Sequence, residues 1–92
     1  MEYRIEKVKA LSLDTTETEV ELGCGGFLLE NCSSAATVYF KEKSYDGVAV
    51  TADNGFALCA GKSMGVVLCA RTLSLIASDA DTDVRILLCE AL

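Results

Sequence analysis

The chain has 92 residues, with 8 Lys and Arg against 14 Asp and Glu, for a formal net charge of −6. That balance excludes the basic surface that nucleic-acid phosphates require. The absence of histidine removes Ser-His and Cys-His nucleophile pairs, histidine metal sites and the usual general base near neutral pH.

Such a length fits one domain, residues 1–92, burying roughly 60–68% of the surface its unfolded form exposes. Hydrophobic residues make up 51% of the chain and the mean hydropathy is positive. This is rich for so small a domain, and part of the apolar surface is expected between subunits. No run approaches the roughly 18 apolar residues of a membrane span, so no membrane partner is expected. MEYRIEKVKAL at the N-terminus lacks an apolar signal-peptide core, and export by that route is not expected.

In chain order, Tyr3 to Leu13 reads as an edge strand. Tyr3, Ile5, Leu11 and Leu13 share strand phase, and Lys7 and Lys9 interrupt it as edge lysines do. Asp14-Thr15-Thr16 is a turn. Val20 and Leu22 alternate with Glu19 and Glu21, giving a strand with one wet face, which Gly23-Cys24-Gly25-Gly26 ends. Phe27 to Cys32 is the next strand, with Leu28 and Leu29 on opposite faces. Thr37 to Glu42 follows, with Val38 and Phe40 on one face, and Lys43 to Gly47 is a loop.

From Val48 to Ala77 the sequence predicts four short apolar segments separated by turns. Val48, Val50 and Ala52 alternate with Ala49 and Thr51. Asp53-Asn54-Gly55 turns the chain, and Phe56, Leu58 and Ala60 alternate again. Gly61 to Gly65 is a second turn, Val66 to Ala70 a third segment, and Leu73, Leu75 and Ala77 mark a fourth. After the polar turn Ser78 to Asp83, Val84 to Leu92 is read as a strand because of its β-branched residues, although Val84, Leu87, Leu88 and Ala91 also fit a helix face. Turn signals at roughly 8–12-residue spacing point to an all-β protein. The expectation is a small antiparallel β-sandwich or flattened barrel of about seven to nine strands.

Three motifs mimic chemistry and fail, one on spacing and two on residue type. Gly55 to Ser63, GFALCAGKS, ends like a P-loop but has five residues between its glycines, one too many for that phosphate cradle. Asp79 to Glu90 mimics an EF-hand loop at several positions, yet Val84 stands where the sharp turn needs glycine. Gly23-Cys24-Gly25-Gly26 begins like a dinucleotide fingerprint, but Leu28 holds the third glycine position. The five cysteines, Cys24, Cys32, Cys59, Cys69 and Cys89, form no C-x-x-C pair. They are expected to be buried, reduced thiols acting as small hydrophobes. No catalytic, cofactor-binding or metal-binding residue is assigned, and no enzyme is expected.

Two segments are apolar on both strand faces, whereas an outer sandwich strand needs only one apolar face. In Val66 to Ala70 the second face is Val67 and Cys69; in Val84 to Cys89 it is Leu87 and Cys89. These four residues, Val67, Cys69, Leu87 and Cys89, are the candidate contacts of a homo-oligomer.

A resemblance gives this a direction. Thr37-Val38-Tyr39, the stretch Val50-Thr51-Ala52-Asp53-Asn54-Gly55-Phe56-Ala57-Leu58-Cys59-Ala60-Gly61, then Thr72-Leu73-Ser74-Leu75-Ile76-Ala77 and Thr82-Asp83-Val84-Arg85-Ile86-Leu87 resemble a small β-sandwich module of structural proteins from tailed bacteriophages and prophages. Leu29-Glu30-Asn31 fits the usual leading strand. The resemblance covers roughly residues 27–88, and the chain departs from it at Ser74, where the family often has Tyr, at the very apolar Val66 to Ala70, and in its cysteines. It implies a non-enzymatic virion component, a capsid decoration or head-tail protein. Such a protein assembles in the cytoplasm, ends in the virion, and has itself and phage capsid or tail proteins as partners. The alternative is a small module binding carbohydrate or calcium.

Overall fold

The computed structural model describes the backbone of residues 3–22, 26–66 and 72–91, and the side chains of residues 8–22, 26–65 and 72–88. Eight strands lie among the described residues: β1 (Tyr3–Leu13), β2 (Thr18–Glu21), β3 (Phe27–Asn31), β4 (Val38–Glu42), β5 (Phe56–Leu58), β6 (Ser63–Val66), β7 (Thr72–Ala77) and β8 (Thr82–Ala91). They form two four-stranded sheets, β1-β8-β3-β6 and β2-β7-β4-β5, antiparallel throughout. The all-β sandwich read from the alternation is the observed architecture.

The topology has a simple origin. β1 pairs with β8, β2 with β7, β3 with β6 and β4 with β5. The chain is thus one long hairpin with its tip between β4 and β5. Rolling that hairpin up adds the pairs β3-β8 and β4-β7, and this is the strand order of a jelly roll.

The inward phase of each strand fills the space between the sheets. Leu29, Ile86 and Val84 come from one sheet and Val38, Leu73 and Leu75 from the other, all at 1% exposure or less. Phe27 meets Phe40 edge-on across the core, with ring centroids 6.1 Å apart. One polar side chain sits among them. Asn31 continues the inward phase of Phe27 and Leu29 and is fully buried. Its Nδ2 donates to the carbonyls of Ala36 (2.8 Å) and Leu58 (2.9 Å), and its Oδ1 accepts from the Ser33 N–H (3.0 Å) and hydroxyl (2.6 Å). Asn31 therefore ties β3 to the end of β5 in the opposite sheet.

Several expectations are corrected. Val48 to Ala52 is not a strand. The Val50 N–H donates to the Ser74 hydroxyl instead of a ladder carbonyl, and Val48 is exposed. The following turn closes tightly: a Cβ on Gly55 would stand 2.5 Å from Val50 Cγ2 and 3.2 Å from the carbonyl oxygens of Phe40 and Thr51. Ser63 to Gly65 belongs to strand β6 rather than to a turn, because β3 supplies its ladder partners.

β1 is an edge strand, but its two halves do not share one phase. The register shifts between Ile5 and Lys7, so Ile5 faces Cys89 while Leu11 faces Val84. That bulge puts Tyr3 and Ile5 out of phase with Leu11 and Leu13, whereas Lys7 and Lys9 stay in phase with those two leucines, opposite Leu88 and Ile86. Cys32 and Cys59 are free but exposed rather than buried, since Asn31 and Leu58 hold the neighbouring inward positions.

Candidate interaction face

The outward phase of the β1-β8-β3-β6 sheet carries an apolar row. Val8 lies opposite Leu87, Leu87 opposite Leu28, and Leu28 opposite Gly65, so the row crosses all four strands. Val8 is 60% and Leu28 41% exposed, and Leu87 is half-buried between them. A second row runs beside it, about 7 Å along the strands: Ala10, Arg85, Glu30 and Ser63, again in direct register. Val8, Leu28, Leu87, Arg85, Glu30 and Ser63 together line a shallow groove of about 410 Å³.

Arg85 and Glu30 are opposite one another, yet each turns to its own strand. The Arg85 guanidinium pairs with Asp83. Glu30 Oε1 accepts from the Cys32 thiol at 3.3 Å, and desolvation of the thiol by its neighbours together with this carboxylate pushes its pKa upward. Cys32 is therefore held as the neutral thiol at physiological pH, a poor nucleophile.

Of the four contacts expected from sequence, Leu87 occupies the centre of the apolar row. Val67 and Cys69 lie outside the described residues. Cys89 is placed by its backbone in β8, opposite Ile5, and its side chain lies outside them. Sequence reading missed Val8, Leu28, Arg85 and Glu30. Each is in outward phase on its own strand, but only the ladder register reveals that they are neighbours.

The opposite outer face differs. There Glu19, Ser74 and Lys41 form a polar row across β2, β7 and β4, and the segment leading to Val50 packs over it. Ser74 is fully buried. Its hydroxyl accepts the Val50 N–H at 3.0 Å and donates to Glu17 Oε2 at 2.5 Å. Lys43 Nζ reaches Glu17 at 3.0 Å and Glu19 at 2.5 Å. A tyrosine ring at position 74 would displace this clasp, because Ser74 is fully buried beneath the segment at Val50. Although serine, carboxylate and lysine meet, the hydroxyl has no open approach, and the cluster serves to fasten the loop.

The Ser74 hydroxyl and the Lys43 ammonium together hold the Glu17 carboxyl below the usual glutamate range. Asp46, receiving the Val48 N–H and the Lys41 ammonium, is lowered likewise. Depressed carboxyl pKa values contribute stability above the unfolded-state value that is lost as the pH falls through the folded-state value. The melting temperature is therefore expected to fall below about pH 4.5. In Glu17→Gln the fall on that limb should be smaller, and the gap to the parent should close at low pH. Thermal melts between about pH 3 and 7 check this.

The mimics of known chemistry resolve structurally. Gly61 and Lys62 donate their N–H groups to the carbonyls of Asn31 and Cys59, leaving no phosphate cradle there. The acidic run after Ser78 is a short turn in which Thr82 Oγ1 donates to the Asp79 carbonyl, and β8 begins at Thr82. Among the described residues no group of three or more His, Cys, Asp or Glu is arranged to hold a metal ion, and no helix is long and apolar enough to cross a membrane. No protein family, no curated protein and no solved structure matches the chain.

Proposed function

We propose that this protein is a non-enzymatic structural module that works by self-association, as a capsid decoration or head-tail component of a phage or prophage particle. The observation that supports self-association is the row Val8, Leu87, Leu28 and Gly65, which runs apolar across the full width of one sheet and opens outward. An exposed contiguous apolar strip marks an interaction surface. The broad dimensions of the molecule, 36 by 28 Å, offer a face of the size needed for the roughly 800 Å² per partner of a standard interface. The particle assignment rests on the resemblance of residues 27–88 to phage structural modules, and the jelly-roll strand order agrees with it, being an arrangement that capsid proteins share with lectins and cupins.

Light scattering at micromolar concentration under reducing conditions is expected to give a monodisperse mass that is a multiple of 9.8 kDa, unchanged by calcium. A monodisperse monomer would overturn self-association. Absence of the chain from purified particles, by mass spectrometry, would remove the virion assignment alone. The groove of about 410 Å³ falls within the volume range of small-molecule sites and favours the ligand-binding module as second reading. A saturable rise in melting temperature with calcium or a sugar panel would support that module.

A further inference from the structure

We infer that two copies of this chain stack their β1-β8-β3-β6 sheets face to face about a two-fold axis running parallel to the strands, between β8 and β3. This deepens the self-association reading above and rests on it. A two-fold in that position lays β8 over the partner's β3 and β1 over the partner's β6, because the sheet order is β1-β8-β3-β6 and an isologous contact meets the same patch in reverse.

The register then decides what meets what. Leu87 faces the partner's Leu28, and Leu28 faces the partner's Leu87. Val8, 60% exposed, faces the partner's Gly65, where no side chain stands. A Cβ added at Gly65 would have as its nearest neighbour Leu28 Cδ1, at 3.3 Å, so the bare glycine keeps a hollow beside the leucine. In the adjoining row Arg85 faces the partner's Glu30, and Glu30 faces the partner's Arg85. The face is complementary to itself in shape and charge only in this setting. A two-fold lying along the apolar row would carry the charged row away from its complement.

Both charged groups have capacity for the contact. Arg85 gives Asp83 one of its nitrogens, and a guanidinium carries five N–H donors in a planar fork suited to a carboxylate. Glu30 accepts from the Cys32 thiol through Oε1, leaving its other oxygen to accept. Packed sheets stand about 10 Å apart, a gap that an arginine and a glutamate extended toward each other span. Tilting the axis by about 15° from the strands gives the crossing of about 30° found in aligned sheets, and the residues of β8 and β3, nearest the axis, keep their pairing under that rotation. On the opposite outer face the segment at Val50 covers Ser74, and the outward row Ile76, Tyr39 and Ala57 crosses only three strands, with no Arg and Glu pair in the row beside it.

Charge reversal tests the inference. Arg85→Glu and Glu30→Arg, each alone, set like charges against each other twice across the axis. Each variant is expected to scatter as a 9.8 kDa monomer while its circular dichroism and melting stay those of a folded protein. An equimolar mixture of the two is expected to return to twice that mass, since both cross pairs become Arg with Glu. The double variant in one chain is expected to do the same. Single variants that keep the parent mass would overturn this interface and leave self-association standing through another surface. Dissociated variants that do not recombine on mixing would overturn the two-fold register. A monomeric parent would overturn the self-association reading itself.

Discussion

Replacing Asn31 with alanine is expected to lower the unfolding free energy by roughly 3–5 kcal/mol, a large share of the roughly 5–15 kcal/mol that stabilises a domain. The size follows from what remains after the amide is gone. The Leu58 carbonyl loses the Asn31 donor and the Ser33 N–H loses its acceptor, while the Ser33 hydroxyl and the Ala36 carbonyl keep each other at 3.0 Å. Each buried polar group left unpaired costs about 1–3 kcal/mol, and the space vacated in a fully buried position adds a cavity. Asn31→Asp discriminates the cause. It keeps the acceptor for Ser33 but turns a buried donor into a carboxylate aimed at two carbonyl oxygens, so it should destabilise at least as much at neutral pH. Denaturant unfolding of the parent and both variants measures this. A loss below about 1 kcal/mol for Asn31→Ala would show that the network adds little beyond the surrounding packing.

Truncating Leu29 to alanine is expected to cost about 3–5 kcal/mol, while the same truncation one residue earlier, at Leu28, should leave monomer stability within about 1 kcal/mol of the parent. Leu29 points between the sheets from central strand β3 and is fully buried, opposite Ile86. Strands on both sides fix its surroundings, so the core collapses little around the missing atoms. Leu28 points outward from the same strand and already contacts water. Its loss should appear in assembly, as a weaker oligomer, rather than in the unfolding of the monomer. The pair therefore separates the two faces of one strand by two different measurements. Equal stability losses at both positions would mean that the outward face is covered within the monomer.

Most of the fold was legible because alternation is a local signal. Val38 with Phe40, Leu73 with Leu75, and Val84 with Ile86 each declare an inward face, and every one of these residues is buried. Where local pattern and tertiary demand part, the reading failed. The alternation at Val48 to Ala52 matches a strand, but no neighbouring strand receives it, and the Val50 N–H donates to the Ser74 hydroxyl instead. The bulge in β1 resets the phase partway along the strand, which no period-two template can follow. Cys32 and Cys59 were expected inside from their residue type alone, but their strand phase puts them outside.

By itself the sequence determined an all-β chain, the inward residues of most strands, and an apolar excess on the outward phase of β8 at Leu87. Each of these depends on residues close together along the chain. Tertiary structure alone decided which strands lie side by side. Pairs such as Val8 with Leu87 and Glu30 with Arg85 are separated by dozens of residues in sequence, and they become neighbours only when the long hairpin rolls up. The apolar row, the charged row beside it and the buried hydrogen bonds of Asn31 are therefore properties of the register. The register is set by the requirement that both sheets close over a single core, since a slip of one residue would turn every inward side chain toward water.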